Sequence, residues 1–497
     1  MPSSFALLIA GITGLILTWD VVVASRGAQV RPSAPLLRTL TALTGILLLP
    51  GLLVALADSS LLTARLTQQL WWLWPATVAC ATIQSAWVAA RKPMSAALAL
   101  PLVAWNTLLL LVSVARVLPE RGSPDPEWMG AMAAAMLHAC AAAAGPVALT
   151  SPFMILPPVL APSLPARWRP LAVLRACVSA LAALATLLVL SRLPGAVDAR
   201  RSYLRYVPER LQERPAGDLA IGLRILPPLD RAPSPYALRV DLALAESLQS
   251  RALFIRVAET APLAALDSLA RALEPVRHDS MQLAVTLESG DGAGAGPDAR
   301  AVEQLTRRLR PELFVIDVEP TAGDAGRGVD RFAQVEETAR AARAGFDAVR
   351  TIVSIDPLMP DGRAWFTWVR TRARGAAAVG VVLRAGAGGA NDLEEQMAMV
   401  SQWIASQPSD RPTWITRVTT APVAHGEESQ ALAWRGVLAW AARTAEIHGV
   451  LTGPASDYGT VAGIRAASGR LRPAARVIAA AARGLREGRA ATRASPP

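Results

Sequence analysis

The stretch Leu313–Pro320, LFVIDVEP, carries an apolar run to an acid at its end, with Glu319 standing just before Pro320. Read as a buried parallel strand, such a run delivers a carboxylate at its C-terminal end, where it can give or take a proton. Acids and arginines close the other short apolar runs too: Glu259, Glu288, Asp356, Arg384 and Arg417, with Asp457 and Tyr458 just beyond the last. A rim of this composition suits a polar ligand, although any one member could equally be a helix cap or a loop ion pair. Metal chemistry lacks a donor set, because His138, His278, His425 and His448 are scattered and Cys80, Cys140 and Cys177 all fall in apolar segments. No phosphate-cradling glycine fingerprint opens a helix, and GAGAG at 292–296 reads as a loop, so no cofactor is expected.

Those side chains need a scaffold that gathers strand ends in one place. From Asp218 onward, short apolar runs alternate with amphipathic stretches, as in repeated βα units. The strand candidates are 219–225, 252–259, 282–289, 313–319, 350–356, 379–385, 413–419 and 449–453. Helices are expected near 237–250, 262–274, 298–310, 331–345, 364–374, 391–406, 428–446 and 472–487. Eight of each over 218–487 predict an α/β fold, a closed (β/α)8 TIM barrel, whose strand C-termini share one mouth. Residues 488–497 are expected to be a disordered tail.

The first half predicts a different material. The chain has 497 residues, 52% of them hydrophobic, and a mean hydropathy of +0.33, with the excess concentrated before residue 195. Six apolar segments, near 5–25, 36–57, 70–90, 95–118, 128–150 and 170–193, match the roughly 20 residues that cross a bilayer core. An α-helical polytopic membrane domain of about six spans is therefore expected over 1–194, its first segment a retained helix rather than a cleaved signal. Arg26, Arg31 and Arg38, then Arg91 and Lys92, then Arg167 and Arg169 load the odd-numbered connections with positive charge. Those connections are thereby cytoplasmic, and the C-terminal domain lies outside the inner (cytoplasmic) membrane. Asp20 with Arg175, and Asn106 with His138, are read as polar pairs fastening the bundle, a transport pathway being the alternative. Residues 195–217 read as a juxtamembrane linker with a short helix, whose arginines either meet lipid phosphates or stay solvated. Net charge is +11, but no dense basic run with interleaved aromatics appears, which argues against nucleic acid.

Several motifs resemble clan A glycoside hydrolases of the cellulase and xylosidase kind, across roughly 218–487. They are a fourth strand ending in Glu319-Pro320, a seventh written Pro412-Thr413-Trp414-Ile415-Thr416, and a tail with Gly463-Ile464, Gly469 and Arg472-Pro473-Ala474. The resemblance implies a glycan or oligosaccharide ligand, Glu319 at the acid/base position and Arg256 as a strand-two arginine. It also implies that a solvent-facing aromatic, Trp365, could stack on a sugar ring, with helix core as its bland alternative. This chain departs from the pattern: Val318 replaces the asparagine before the acid, Gly453-Pro454 the aromatic after strand eight, and Arg417 the nucleophilic glutamate. Retaining hydrolysis needs two carboxylates about 5–5.5 Å apart, and an arginine can neither attack nor tolerate an oxocarbenium-like centre. It would also favour the ionised form of Glu319, the wrong form for a general acid.

The expected function is a catalytically degenerate, membrane-anchored barrel that binds or guides a glycan, with polysaccharide synthesis or export subunits and the lipid bilayer as partners. Two alternatives stay open. One is an active glycosidase whose displaced second carboxylate is Glu288, Asp356, Glu427 or Glu428; the other is a transporter-like or sensor protein.

Overall fold

The computed structural model describes residues 96–117, single positions between 76 and 90 and at 132, and most of 169–493. Within the last range, 216–217, 226–234, 275–280, 289–296, 319–327, 387, 421, 458–461 and 467–468 are not described. Glu319, Tyr458, Asp20 and His138 therefore lie outside the described residues, as do the apolar segments near 5–25 and 36–57 and nearly all of 128–150.

The chain divides into two units. One takes Met1–Arg201 with Val423–Gly426 and Ala467–Arg470; the other takes Ser202–Pro422, Glu427–Ala466 and Leu471–Pro497. Among the described residues of the first half, the long helices are α1 (Ala96–Val117) and α2 (Arg169–Arg205). Among the described residues, the segment Ala182–Arg205 is the one long and apolar enough to cross a membrane, with a shorter apolar helix at Leu100–Val112. The other expected spans are not seen among these residues. Asn106 is buried on α1, and its backbone carbonyl accepts a bond from Thr82 Oγ1 at 3.1 Å. Arg175 lies on α2.

Eight parallel strands close into a barrel in sequence order: β1 (Ala220–Ile225), β2 (Ala252–Ala258), β3 (Gln282–Glu288), β4 (Leu313–Asp317), β5 (Arg350–Ile355), β6 (Ala376–Arg384), β7 (Thr413–Thr419) and β8 (Ile447–Thr452). Both faces of these strands are covered, which is why they read as nearly continuous apolar runs. One face turns outward to the helices, as with Ile221, Leu223 and Ile225 of β1 or Leu253, Ile255 and Val257 of β2. The other fills the bore with Ala252, Phe254, Ala284, Leu313, Val315, Ile352, Ala378, Trp414 and Leu451.

The helices between strands are α3 (Pro235–Ser247), α4 (Leu263–Ala272), α5 (Ala299–Leu309), α6 (Gly328–Gly345), α7 (Gly362–Thr371) and α8 (Ala390–Ser406). A short α9 (Pro422–His425) precedes α10 (Glu427–Arg443), and α11 (Pro473–Arg493) ends the fold. Their local logic is ordinary. In α5, Asp298 accepts the Arg300 N–H at 3.2 Å as N-cap, Val302, Leu305, Thr306 and Leu309 make one buried stripe, and Arg310 closes the helix at φ 39°. The tail expected to be disordered from 488 is instead helical as far as Arg493, because LREGRAATR has few helix breakers.

The helical part of 195–217 is 195–205, which continues α2. Arg214, expected to touch lipid or water, does neither. It is 7% exposed, and its Nη1 donates to the carbonyls of Ala441, Thr444 and Ile447 at 3.0, 2.9 and 2.7 Å, with Nη2 on Ala445. These are the carbonyls left open where α10 ends and β8 begins, and a guanidinium is well placed to satisfy them. Arg214→Ala is expected to lower stability by about 1.5–3 kcal/mol, read by denaturant unfolding; a change inside about 0.5 kcal/mol would make the contact incidental.

Candidate functional site at the barrel mouth

Strand parity decides which side chains reach the bore. Inward positions on β1 are Ala220, Gly222 and Arg224; on β2, Ala252, Phe254 and Arg256; on β3, Ala284, Thr286 and Glu288; on β4, Leu313, Val315 and Asp317. On β1 and β4 the inward residues are apolar or small until the last, which is charged; β3 ends inward on Glu288, and β2 carries Arg256 one inward position before Ala258. β7 adds a fifth charge by a different route. Its pairing with β6 jumps from Val381↔Ile415 to Val382↔Arg417, one extra residue on β7. At such a bulge, successive residues can face the same side. Thr416 points inward to Ser354, Oγ to Oγ1 2.7 Å, and so does Arg417, which reaches Asp317.

The result is a layer of Arg224, Arg256, Glu288, Asp317 and Arg417 at the C-terminal end of the bore. Arg417 Nη2 lies 3.2 Å from Asp317 Oδ2. Because β4 and β7 are not neighbours, that bond spans the mouth. Its partners remain 34% and 30% exposed, within reach of a ligand. Arg256 is ion-paired to Glu288 on the adjacent strand. Arg224 has no such partner: it is 4% exposed, its guanidinium lies 4.7 Å from the Phe254 ring centroid, and its Nε is buried without a hydrogen bond. Burial first, then the like charges of Arg417 and Arg256, pull its pKa well below the usual arginine value, and Asp317 and Glu288 offset only part of this. Gly453, at φ 120°, packs its backbone against Arg224, where a side chain would meet the Arg224 carbonyl.

On the rim, Arg384 Nε is 2.8 Å from Asp356 Oδ2, and Asp356 Oδ1 accepts the Leu358 N–H at 3.0 Å. The remaining expected rim residues are held by structure. Glu259 accepts the Asp298 N–H at 2.6 Å, at the start of α5. Asp457 holds Arg472 with both oxygens, at 2.8 and 2.7 Å, and also accepts the Gly463 N–H at 2.7 Å. Trp365 is not a sugar platform: it is 1% exposed, wedged against Phe332 and Trp368 on α6 and α7, with its Nε1 donating to Asp361 at 2.8 Å. Among the described residues no group of three or more His, Cys, Asp or Glu could hold a metal ion.

Arg224 and Asp317 were not singled out in the sequence, yet their signal was there. Each is the one charge in an apolar strand, in phase with the inward residues two and four positions before it.

The layer can grip an oxygen-rich or anionic ligand from several strands at once. Its described acids are both engaged by arginines.

No protein-family model and no curated protein matches the chain. Among solved structures, the chain is similar to a Glu-to-Ala variant of GH5_18 from Streptomyces cattleya in complex with Manβ1-4GlcNAc. That likeness has a TM-score of 0.42 and 15% identity, over 56% of this chain and 82% of that one. It is also similar to a calcium-binding mutant of Bacteroides uniformis beta-glucuronidase 2, with a TM-score of 0.39 and 14% identity, over 52% of this chain and 33% of that one.

Proposed function

We propose that this protein binds a glycan at the mouth of its barrel without cleaving it. In this reading the N-terminal apolar segments hold the barrel outside the cytoplasmic membrane, beside a polysaccharide synthesis or export assembly. The observation that carries the proposal is the Arg417–Asp317 bond across the mouth. A fixed positive charge beside the reacting centre opposes an oxocarbenium-like transition state, and an arginine cannot act as nucleophile. A glycan's many hydroxyls, by contrast, are good partners for arginines and carboxylates that remain partly exposed.

The acids that could have served as a displaced second carboxylate give that alternative little support. Glu288 is engaged by Arg256, Asp356 by Arg384 and Glu427 by Arg472, while Glu428 is exposed on α10. Anchoring draws on α2, where Leu184, Leu187 and Leu188 make an exposed apolar face at helical spacing. Lipid is the natural cover for such a face.

The full-length protein in detergent micelles is expected to bind members of a polysaccharide panel while releasing no reducing ends. Arg417→Glu, which supplies a carboxylate from β7, is expected to raise release above the unaltered protein. Clear turnover by the unaltered protein would overturn the reading.

A further inference from the structure

Among the described residues, three arginines of the mouth, 224, 256 and 417, meet two acids, 288 and 317. Arg256 and Arg417 each have a carboxylate; Arg224, deepest of the three, makes no ion pair or hydrogen bond through its side chain among the described residues. Leaving a guanidinium buried and unmatched is expensive, because its lost hydration is not replaced. The Phe254 face beneath it returns only part of that loss. Nor does the fold require a cation here for packing: the inward positions below it on β1 are Gly222 and Ala220, and the strand is fixed by its outward Ile221, Leu223 and Ile225.

We infer that the mouth takes a carboxylate carried by the glycan, so that the ligand is an acidic polysaccharide containing uronic acid residues, with Arg224 as the deep anchor. Arg417 and Arg256 stand over it, 34% and 19% exposed at the side chain, as the arginines that a descending carboxylate meets first. The guanidinium fork matches a carboxylate's two oxygens. Glu288 and Asp317 in the same layer favour this group over a phosphate ester, because both acids repel a dianion more strongly than a singly charged carboxylate. The inference rests on the barrel being a glycan-binding one, and the test separates the two.

The experiment measures binding to the full-length protein in detergent micelles by calorimetry. The probes are trigalacturonate, the neutral trisaccharide obtained by reducing its carboxyls, and inorganic phosphate. Trigalacturonate is expected to bind most tightly, with Arg224→Met weakening it by about ten- to a hundredfold. Without ligand, Arg224→Met is expected to melt at or above the temperature of the unaltered protein, since a buried unpaired charge has been removed. A guanidinium kept for structure would give the opposite shift. Arg224→Lys keeps the charge without the fork and is expected to fold and to bind more weakly. Equal binding of the acidic and neutral trisaccharides, insensitive to Arg224→Met, overturns the uronate assignment and leaves the glycan reading standing. Arg224-dependent binding of phosphate with neither trisaccharide bound overturns both. Failure of both variants to fold also overturns the assignment, because it makes Arg224 a structural residue.

Discussion

Arg472→Ala is expected to lower the unfolding free energy by about 3–5 kcal/mol, the range for removing one partner of a buried ion pair. Arg472 stands immediately before α11 and is 3% exposed. Its guanidinium holds Asp457 through two bonds, Glu427 through Nε at 3.1 Å, and the Gly463 carbonyl. It therefore ties the loop after β8 to the first turn of α10 and the start of α11. Burial opposes its charge, but Asp457 and then Glu427 outweigh that and hold its pKa above the ordinary arginine value. Truncation leaves Asp457 and Glu427, with side chains 7% and 12% exposed, without their counter-charge. The melting temperature is expected to fall by roughly 6–15 °C. A double variant, Arg472→Met with Asp457→Asn, removes charge of both signs and is expected to cost less than Arg472→Ala alone. If the double variant is as unstable as the sum of its parts, the ion pair is not what holds this corner.

The same residue marks where a sequence reading stops. Arg472 was legible as part of a family-like tail, and Asp457 as a rim acid, but nothing along the chain joins the two. The joining needs two loops to meet, and only the closed barrel brings them together. The barrel itself was legible, because its period is local. Runs with both faces buried stay apolar throughout, the intervening stretches carry a helical stripe, and the observed strands begin and end within three residues of the expected ones. Parity also announces Arg224 and Asp317, each in step with the small and apolar residues of its own bore face. Arg417 is the reverse case. Strict alternation from Trp414 puts Thr416 inside and Arg417 outside, and only the bulge on β7 brings both in. Trp365 fails for a third reason: an aromatic on an amphipathic helix looks the same whether it faces a groove or a neighbour, and Phe332 on α6 decides the matter. Asp20, His138, Tyr458 and Glu319 lie outside the described residues.

Trp414→Ala is expected to cost about 3–5 kcal/mol, and the size of the effect follows from where the indole sits. It is 5% exposed inside the bore, among Ala252, Ala284, Leu313, Ile352 and Leu451. Small residues crowd that cluster, so one large ring does much of the filling. Its cross-strand partner on β8 is Gly449, and a Cβ added there would clash with the carbons of the indole ring. Glycine is needed at 449 because tryptophan is present at 414. Gly449→Ala alone is then an overpacking change, expected to destabilise by about 1–3 kcal/mol. Combined with Trp414→Ala, the same methyl enters a vacated space, so the pair is expected to cost less than the two single changes added together. Chemical denaturation of the four proteins in one detergent gives the coupling directly, and simple additivity would mean that the ring and the glycine are not in contact. The effect should reach the mouth as well. Arg417 follows Trp414 by three residues on β7, and a bore that no longer fills beneath the bulge has less to hold Arg417 in line with Asp317. Trp414→Ala is therefore expected to weaken ligand binding at the mouth along with stability, whereas Arg472→Ala, whose partners Asp457, Glu427 and Gly463 are none of the five charges of the bore layer, should lower stability and leave affinity within about twofold while the protein remains folded.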